Sequence, residues 1–209
     1  MSNAEARLEI LTRINRAVRD RDVPERPAYP RAEGQSRADV LHTFEDRILD
    51  YRAGFVRVSP DGVREAVRAA LGDARRVVVP DGLDPAWLPD GLDVRRDTPP
   101  LTHAQLDGVD SVVTSCAVAV ARTGTIILDH GPGQGRRALT LVPDLHVCVI
   151  HAHQIVPDVL DGVHAVAGAV RAGRPLTWLS GGSATSDIEL VRVEGVHGPR
   201  TLRVIVVDG

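Results

Sequence analysis

Short, almost unbroken runs of branched aliphatic residues punctuate this chain, and stretches of helical period lie between them. The runs are Phe55–Val58, Arg76–Val79, Val112–Thr114, Thr125–Leu128, His146–His151, Leu176–Leu179 and Leu202–Val207. A strand with one wet face alternates apolar and polar residues, whereas a strand covered on both faces reads as a continuous apolar run. Strands of the second kind, alternating with helices, predict an α/β fold in which a mostly parallel sheet carries helices on both faces. Val112–Thr114, Thr125–Leu128 and Leu202–Val207 are expected to be interior strands of one such sheet.

The helical stretches carry their own punctuation. Ser59-Pro60-Asp61 offers an N-cap, a proline at the first helical position and an acid in the first turn; Gly72 stops the helix that follows. Another helix is expected from Pro157 to about Ala172, with Gly173 after it. Upstream, residues 4–20 form an amphipathic stripe through Ile10, Leu11, Ile14, Ala17 and Val18. Residues 21–38, with Pro24, Pro27, Pro30 and Gly34, read as an extended connection. Residues 39–52 then turn Val40, Leu41, Phe44, Ile48 and Leu49 inward. Two helices bury little alone, so residues 1–53 are expected to be a helical arm on an α/β domain spanning 54–209.

Composition removes several functions. The 25 basic and 28 acidic residues leave a net charge of −3, which gives no electrostatic footprint for nucleic acid or an anionic membrane. Two residues each of Phe, Tyr and Trp are too few for a base-stacking platform. All 25 basic residues are arginine. Without lysine there is no Schiff base, no pyridoxal-phosphate anchor and no P-loop, while arginine's planar fork suits a carboxylate or phosphate. Cys116 and Cys148, with no C-x-x-C, cannot supply the four thiolates of an iron–sulfur cluster and read as buried free thiols. The opening MSNAEARLEI lacks a basic segment followed by an apolar core, and no apolar stretch approaches the ~18 residues of a membrane span. A cytoplasmic protein is expected.

Three loops draw attention: Ala121-Arg122-Thr123-Gly124-Thr125, Gly131-Pro132-Gly133-Gln134-Gly135-Arg136-Arg137 and Ser180–Glu189. The second has glycines at G-x-G-x-G spacing and is followed by Ala138-Leu139-Thr140-Leu141-Val142-Pro143 rather than by a helix, so it fails as a dinucleotide loop. It is either a plain surface loop or one that lets Arg136 or Arg137 close over an anion. The third follows a strand, where open α/β sheets place their ligands, and its small and hydroxylated residues suit an oxyanion. Ser186 and Glu189 also fit a capping box, and the loop can serve both ends. Of the eight histidines, His151 and His153 share one face of a strand, but no further ligand stands at matching spacing, so no metal site is expected. Ser183, Asp187 and His197 compose a triad only on paper, because no nucleophile elbow accompanies them.

The segments Ala121–Ile126, Gly133–Pro143, Ser180–Glu189 and Val193-Glu194-Gly195-Val196-His197-Gly198-Pro199 closely resemble the LUD-domain family over about residues 55–207. That resemblance implies a fold of the NagB/RpiA/CoA-transferase group. It also implies work beside lactate-utilization partners of the A and B types, one or both carrying iron–sulfur clusters, that oxidise L-lactate to pyruvate. No cofactor would then be bound by this chain itself. Two departures stand out: Arg122 replaces the family's usual acid, and Gly182 stands where proline is frequent. The expected binding residues for a small carboxylate or other anion are Thr123, Gly124, Thr125, Arg136, Arg137, Ser180, Gly181, Ser183, Thr185, Asp187, Glu189 and His197. No catalytic residue is assigned. The alternative is a freestanding enzyme acting on a sugar phosphate or acyl thioester, as the fold relatives do.

Overall fold

A strand buried on both faces needs two covers, and this chain supplies helices for one and a second sheet for the other. The computed structural model describes residues 2–19, 34–185, 193–195 and 197–209. It divides into two units, Met1–Pro30 and Arg31–Gly209. In the first, α1 (Asn3–Arg19) has Glu5 in its opening turn and Arg16 and Arg19 in its last, the signs that suit a helix dipole. The second unit opens with α2 (Arg37–Asp50), β1 (Gly54–Val58), α3 (Val63–Leu71), β2 (Arg76–Val79), β3 (Asp93–Arg96), α4 (His103–Asp107) and β4 (Ser111–Thr114). It continues with β5 (Val118–Val120), β6 (Thr125–Leu128), β7 (Leu145–His151), β8 (Ile155–Val156), α5 (Val159–Arg171), β9 (Thr177–Leu179), β10 (Ala184–Thr185), β11 (Val193–Glu194) and β12 (Thr201–Val207).

The main sheet is six-stranded, in the order β1-β12-β7-β4-β2-β3, and every pair is parallel. Successive side chains alternate between its faces. One set (Val77, Val79, Val113, Val147, Val149, Ile205) packs under Val63, Val67 and Leu71 of α3. The other set (Cys148, Ile150, Val204, Val206) meets Ile126 and Leu128 together with Val40, Leu41, Phe44 and Ile48 of α2. The α/β class and the parallel sheet are those the apolar runs predict. A second sheet, β8-β5-β6-β9, covers this face, and α5 packs Val166 against its outer residues Val118, Val120 and Ile127.

Thr125–Leu128 therefore does not share a sheet with Val112–Thr114 and Leu202–Val207. Only the 3-10 turn Ala121–Thr123 and its cap Gly124 separate β5 from β6, and a parallel crossover needs a dozen or more residues, so the two strands pair antiparallel. The strand at 177–179 likewise joins this second sheet, antiparallel to β6. A boundary after residue 53 is not where the packing divides, since α2 contributes fully buried Phe44 and Ile48 to the body's core. Leu49, expected inward, is 51% exposed. Ser59 has capping dihedrals but its side chain makes no cap hydrogen bond. The connection expected over 21–38 lies largely outside the described residues; from Ser36 a capping box with Asp39 starts α2. Among the described residues no helix is long and apolar enough to cross a membrane.

Candidate functional site

Where the edge of the second sheet meets the amino ends of β7 and β12, a cleft of about 260 Å³ opens. The end of β9 and the turn after it supply Trp178 and Ser180 to Ser183. The 3-10 turn Arg137–Thr140 supplies Arg137 and Thr140, the strand ends supply His146 and Leu202, and the last loop supplies His197 to Pro199. The general rule for parallel sheets places ligands at the carboxyl ends of strands. The cleft departs from it because β9 belongs to the second sheet, where it runs antiparallel to β6 and carries the serine-rich turn to the opposite end.

Arg137, Ser183 and His197 are tied together as one wall. Arg137 Nη2 donates to the carbonyl of His197 (3.2 Å), and the His197 N–H donates to Ser183 Oγ (2.9 Å). Arg137 Nη1 donates to Thr140 at its carbonyl (3.0 Å) and hydroxyl (3.3 Å). Among the described residues no carboxylate pairs with Arg137. Partial burial lowers its pKa from the ordinary arginine value, with no acid to oppose the shift. The guanidinium stays charged at any physiological pH. It is a held cation on a concave surface, which is what an anion requires.

The first sequence loop contributes at second hand. Thr123 and Thr125 share a hydroxyl hydrogen bond of 2.8 Å, and Thr125 shares another of 2.8 Å with Ser180, which lines the cleft. Gly124 serves packing: its φ is +59°, and a Cβ there would lie 2.8 Å from Cβ of Arg47 on α2. Arg122 pairs with Asp158 (2.9 Å), the N-cap of α5, so its charge holds a helix end. At Gly182 a Cβ would run into the carbonyl oxygen of Arg200, so the turn has no room for a side chain there.

Arg136 is not in the cleft. It lines a separate cavity of about 590 Å³ with Pro80 to Gly82, Asp97, His130 and Leu139, at the carboxyl ends of β2 and β3. This cavity is larger and sits where the general rule would put a ligand. Its cation, however, is already committed. Arg136 makes a fork to Asp97 (2.7 and 3.0 Å) and donates to the carbonyl of Leu101 (2.6 Å). Burial pushes the Asp97 carboxyl up, but the hydrogen bonds from Arg136 and the Leu101 N–H, with the Arg136 charge, bring it net below its ordinary value. In the smaller cleft, by contrast, Arg137 has no carboxylate partner among the described residues.

Thr185 lies in β10, where it is in register with Val193. Asp187 and Glu189 lie outside the described residues, as does the capping box proposed at Ser186. His151 and His153 stack at 5.4 Å between ring centroids, with Trp87 5.8 Å from His151. Among the described residues no group of three or more His, Cys, Asp or Glu side chains is arranged to hold a metal ion. Cys116 and Cys148 are buried and unbridged. The sequence reading missed His146, Thr140, Thr177 and Trp178. The only signal for His146 is a polar residue at the second position of an apolar strand.

A family model described as "LUD domain" matches residues 92–207. A protein of Deinococcus radiodurans named lactate utilization protein C is 62% identical over 206 residues, covering 99% of this chain and 97% of that protein. A protein of the same name from Bacillus subtilis is 24% identical over 211 residues, covering 89% and 87%. Among solved structures, a DUF162 family protein from Deinococcus radiodurans is 58% identical, with a TM-score of 0.75 over 83% of this chain and 99% of that one. With a family model matched across most of the α/β body and a relative alike from end to end, the chain belongs to the LUD-domain family.

Proposed function

We propose that this protein serves lactate utilization as a subunit without a cluster of its own, holding a small carboxylate in the cleft while partners carry electrons. The observation that carries the reading is Arg137, a cation fixed at the mouth of a small concave site and unpaired with any described carboxylate. The names of the relatives supply the pathway. Oxidation of L-lactate to pyruvate releases two electrons and two protons. Two buried cysteines cannot anchor a cluster to take those electrons, so iron–sulfur partners of the A and B types are the proposed acceptors, in the cytoplasm.

Deleting the gene in its host should abolish or slow growth on L-lactate while leaving growth on pyruvate intact. The wild-type copy should restore it, and a copy with Arg137→Ala should restore it poorly at equal protein level. Undiminished growth of the deletion strain on lactate would refute the reading and favour a freestanding enzyme. Turnover of L-lactate by the purified chain with an added electron acceptor would refute the subunit role.

A further inference from the structure

We propose that Ser183 is the second anchor of the cleft, giving its hydroxyl hydrogen to an oxygen on the carbon beside the ligand's carboxylate. The site then takes 2-hydroxy and 2-oxo acids alike and disfavours the acid without that oxygen. This rests on the carboxylate reading of the same cleft, which Ser183 lines.

Every hydrogen bond that holds Ser183 runs to a backbone group, and backbone groups cannot exchange roles. Its N–H donates to the carbonyl of Pro199 (2.7 Å), and its carbonyl accepts from the N–H of Gly195 (2.9 Å). Its Oγ accepts from the N–H of His197 (2.9 Å), and a peptide N–H only donates. The hydroxyl hydrogen is therefore not spent on His197, and among the described residues nothing else accepts it. Ser183 is thus fixed at three points with one donor in hand, on the wall of a concave site.

That donor stands beside the cation. Arg137 Nη2 is bonded to the carbonyl of His197 and Ser183 Oγ to its N–H, so the two arms are set one residue apart along the same wall. The fork of a guanidinium matches both oxygens of a carboxylate, so a third donor calls for a third ligand oxygen. The nearest one a small acid offers is on the adjacent carbon. A hydroxyl oxygen and a carbonyl oxygen both accept, whereas a plain carboxylate leaves the Ser183 hydrogen without a partner. Trp178, Leu179 and Leu202 supply an apolar part of the lining, which suits a short alkyl group beyond that carbon. A site built to hydrogen-bond one group of its ligand disfavours the analogue lacking it.

The test is calorimetry of the full chain and its variants with L-lactate, pyruvate and propionate. Lactate and pyruvate should bind with affinities within about threefold of each other, and each roughly fivefold more tightly than propionate, the factor one neutral hydrogen bond supports. Ser183→Ala should bring lactate and pyruvate down to the affinity of propionate while leaving propionate unchanged. Arg137→Ala should weaken all three. If Ser183→Ala does not fold, the wild-type ratios decide. A Ser183→Ala protein that weakens all three ligands by one factor would overturn the proposal, since the hydroxyl would then serve only to hold His197. Equal wild-type affinities for the three, all weakened in Arg137→Ala, would overturn the role of Ser183 and leave the carboxylate site standing. A preference of about tenfold or more between lactate and pyruvate would overturn a donor that serves both. Binding of none of the three would refute the carboxylate site itself.

Discussion

Replacing Arg137 by alanine should weaken L-lactate binding by about 30- to 150-fold. The magnitude follows from the hydrogens the guanidinium still has to give. Of its five N–H groups, Nη1 is occupied by the carbonyl and hydroxyl of Thr140, and Nη2 gives one hydrogen to the carbonyl of His197. Among the described residues nothing accepts from Nε–H or the second Nη2 hydrogen, which are the ones assigned to the ligand. A hydrogen bond to a charged group contributes about 1.5–3 kcal/mol, and two to one carboxylate, discounted for a rim position open to water, come to about 2–3 kcal/mol. That range is the stated loss in affinity. Titration calorimetry at low and high salt measures it, and the wild-type affinity should fall as salt screens the exposed charge. Thermal unfolding of the variant checks that the wall of the cleft survives. An Arg137→Ala protein that folds normally and binds lactate within threefold of wild type would refute the assignment of the anion site.

Two predictions concern the fold. Phe44→Ala on α2 should cost about 3–5 kcal/mol in urea unfolding, because the ring is fully buried and meets Phe55 edge-on at 6.2 Å. Leu49→Ala on the same helix, at a residue 51% exposed, should cost under about 1 kcal/mol; equal costs would mean that α2 is not part of the body's core. Asp110 accepts hydrogen bonds from the Arg76 side chain and from the Arg76 and Arg75 N–H groups, which lower its pKa from 3.8 to about 2. A folded pKa below the unfolded one contributes stability above the unfolded value, and that contribution fades as pH falls toward 2. NMR titration should place the Asp110 carboxyl near 2, and Asp110→Asn should flatten the acid limb of stability; a midpoint near 4 would contradict the geometry.

The α/β class was legible because a continuous valine-rich run has few other physical solutions, and strands such as Val77–Val79 and Val204–Val207 are buried on both faces. The partition into two sheets was not legible. It depends on how few residues separate β5 from β6, and the sequence pattern of Thr125–Leu128 is the same in either sheet. For the site, the grouping of Arg137, Ser180, Gly181, Ser183 and His197 could be read from loop chemistry. Arg136 could not be told from Arg137, since only the fold brings Asp97 to one of two adjacent arginines. His146 and Trp178 escaped because a single polar or aromatic residue in a short strand has no periodicity to mark its direction.

The hydroxyls of Thr123, Thr125 and Ser180 stand in series, each 2.8 Å from the next. A hydroxyl gives one hydrogen and receives at its oxygen, so a file of three can point all its hydrogens toward the cleft or all away. In one sense Ser180 meets a ligand with a hydrogen; in the other it meets it with a lone pair. The two senses share the same heavy-atom positions, so the floor of the cleft can reverse its polarity without moving the backbone. Such a surface can meet a donor or an acceptor alike at the cost of three bond rotations. Thr125→Val would cut the file at its middle, keep its shape, and leave Ser180 to answer alone.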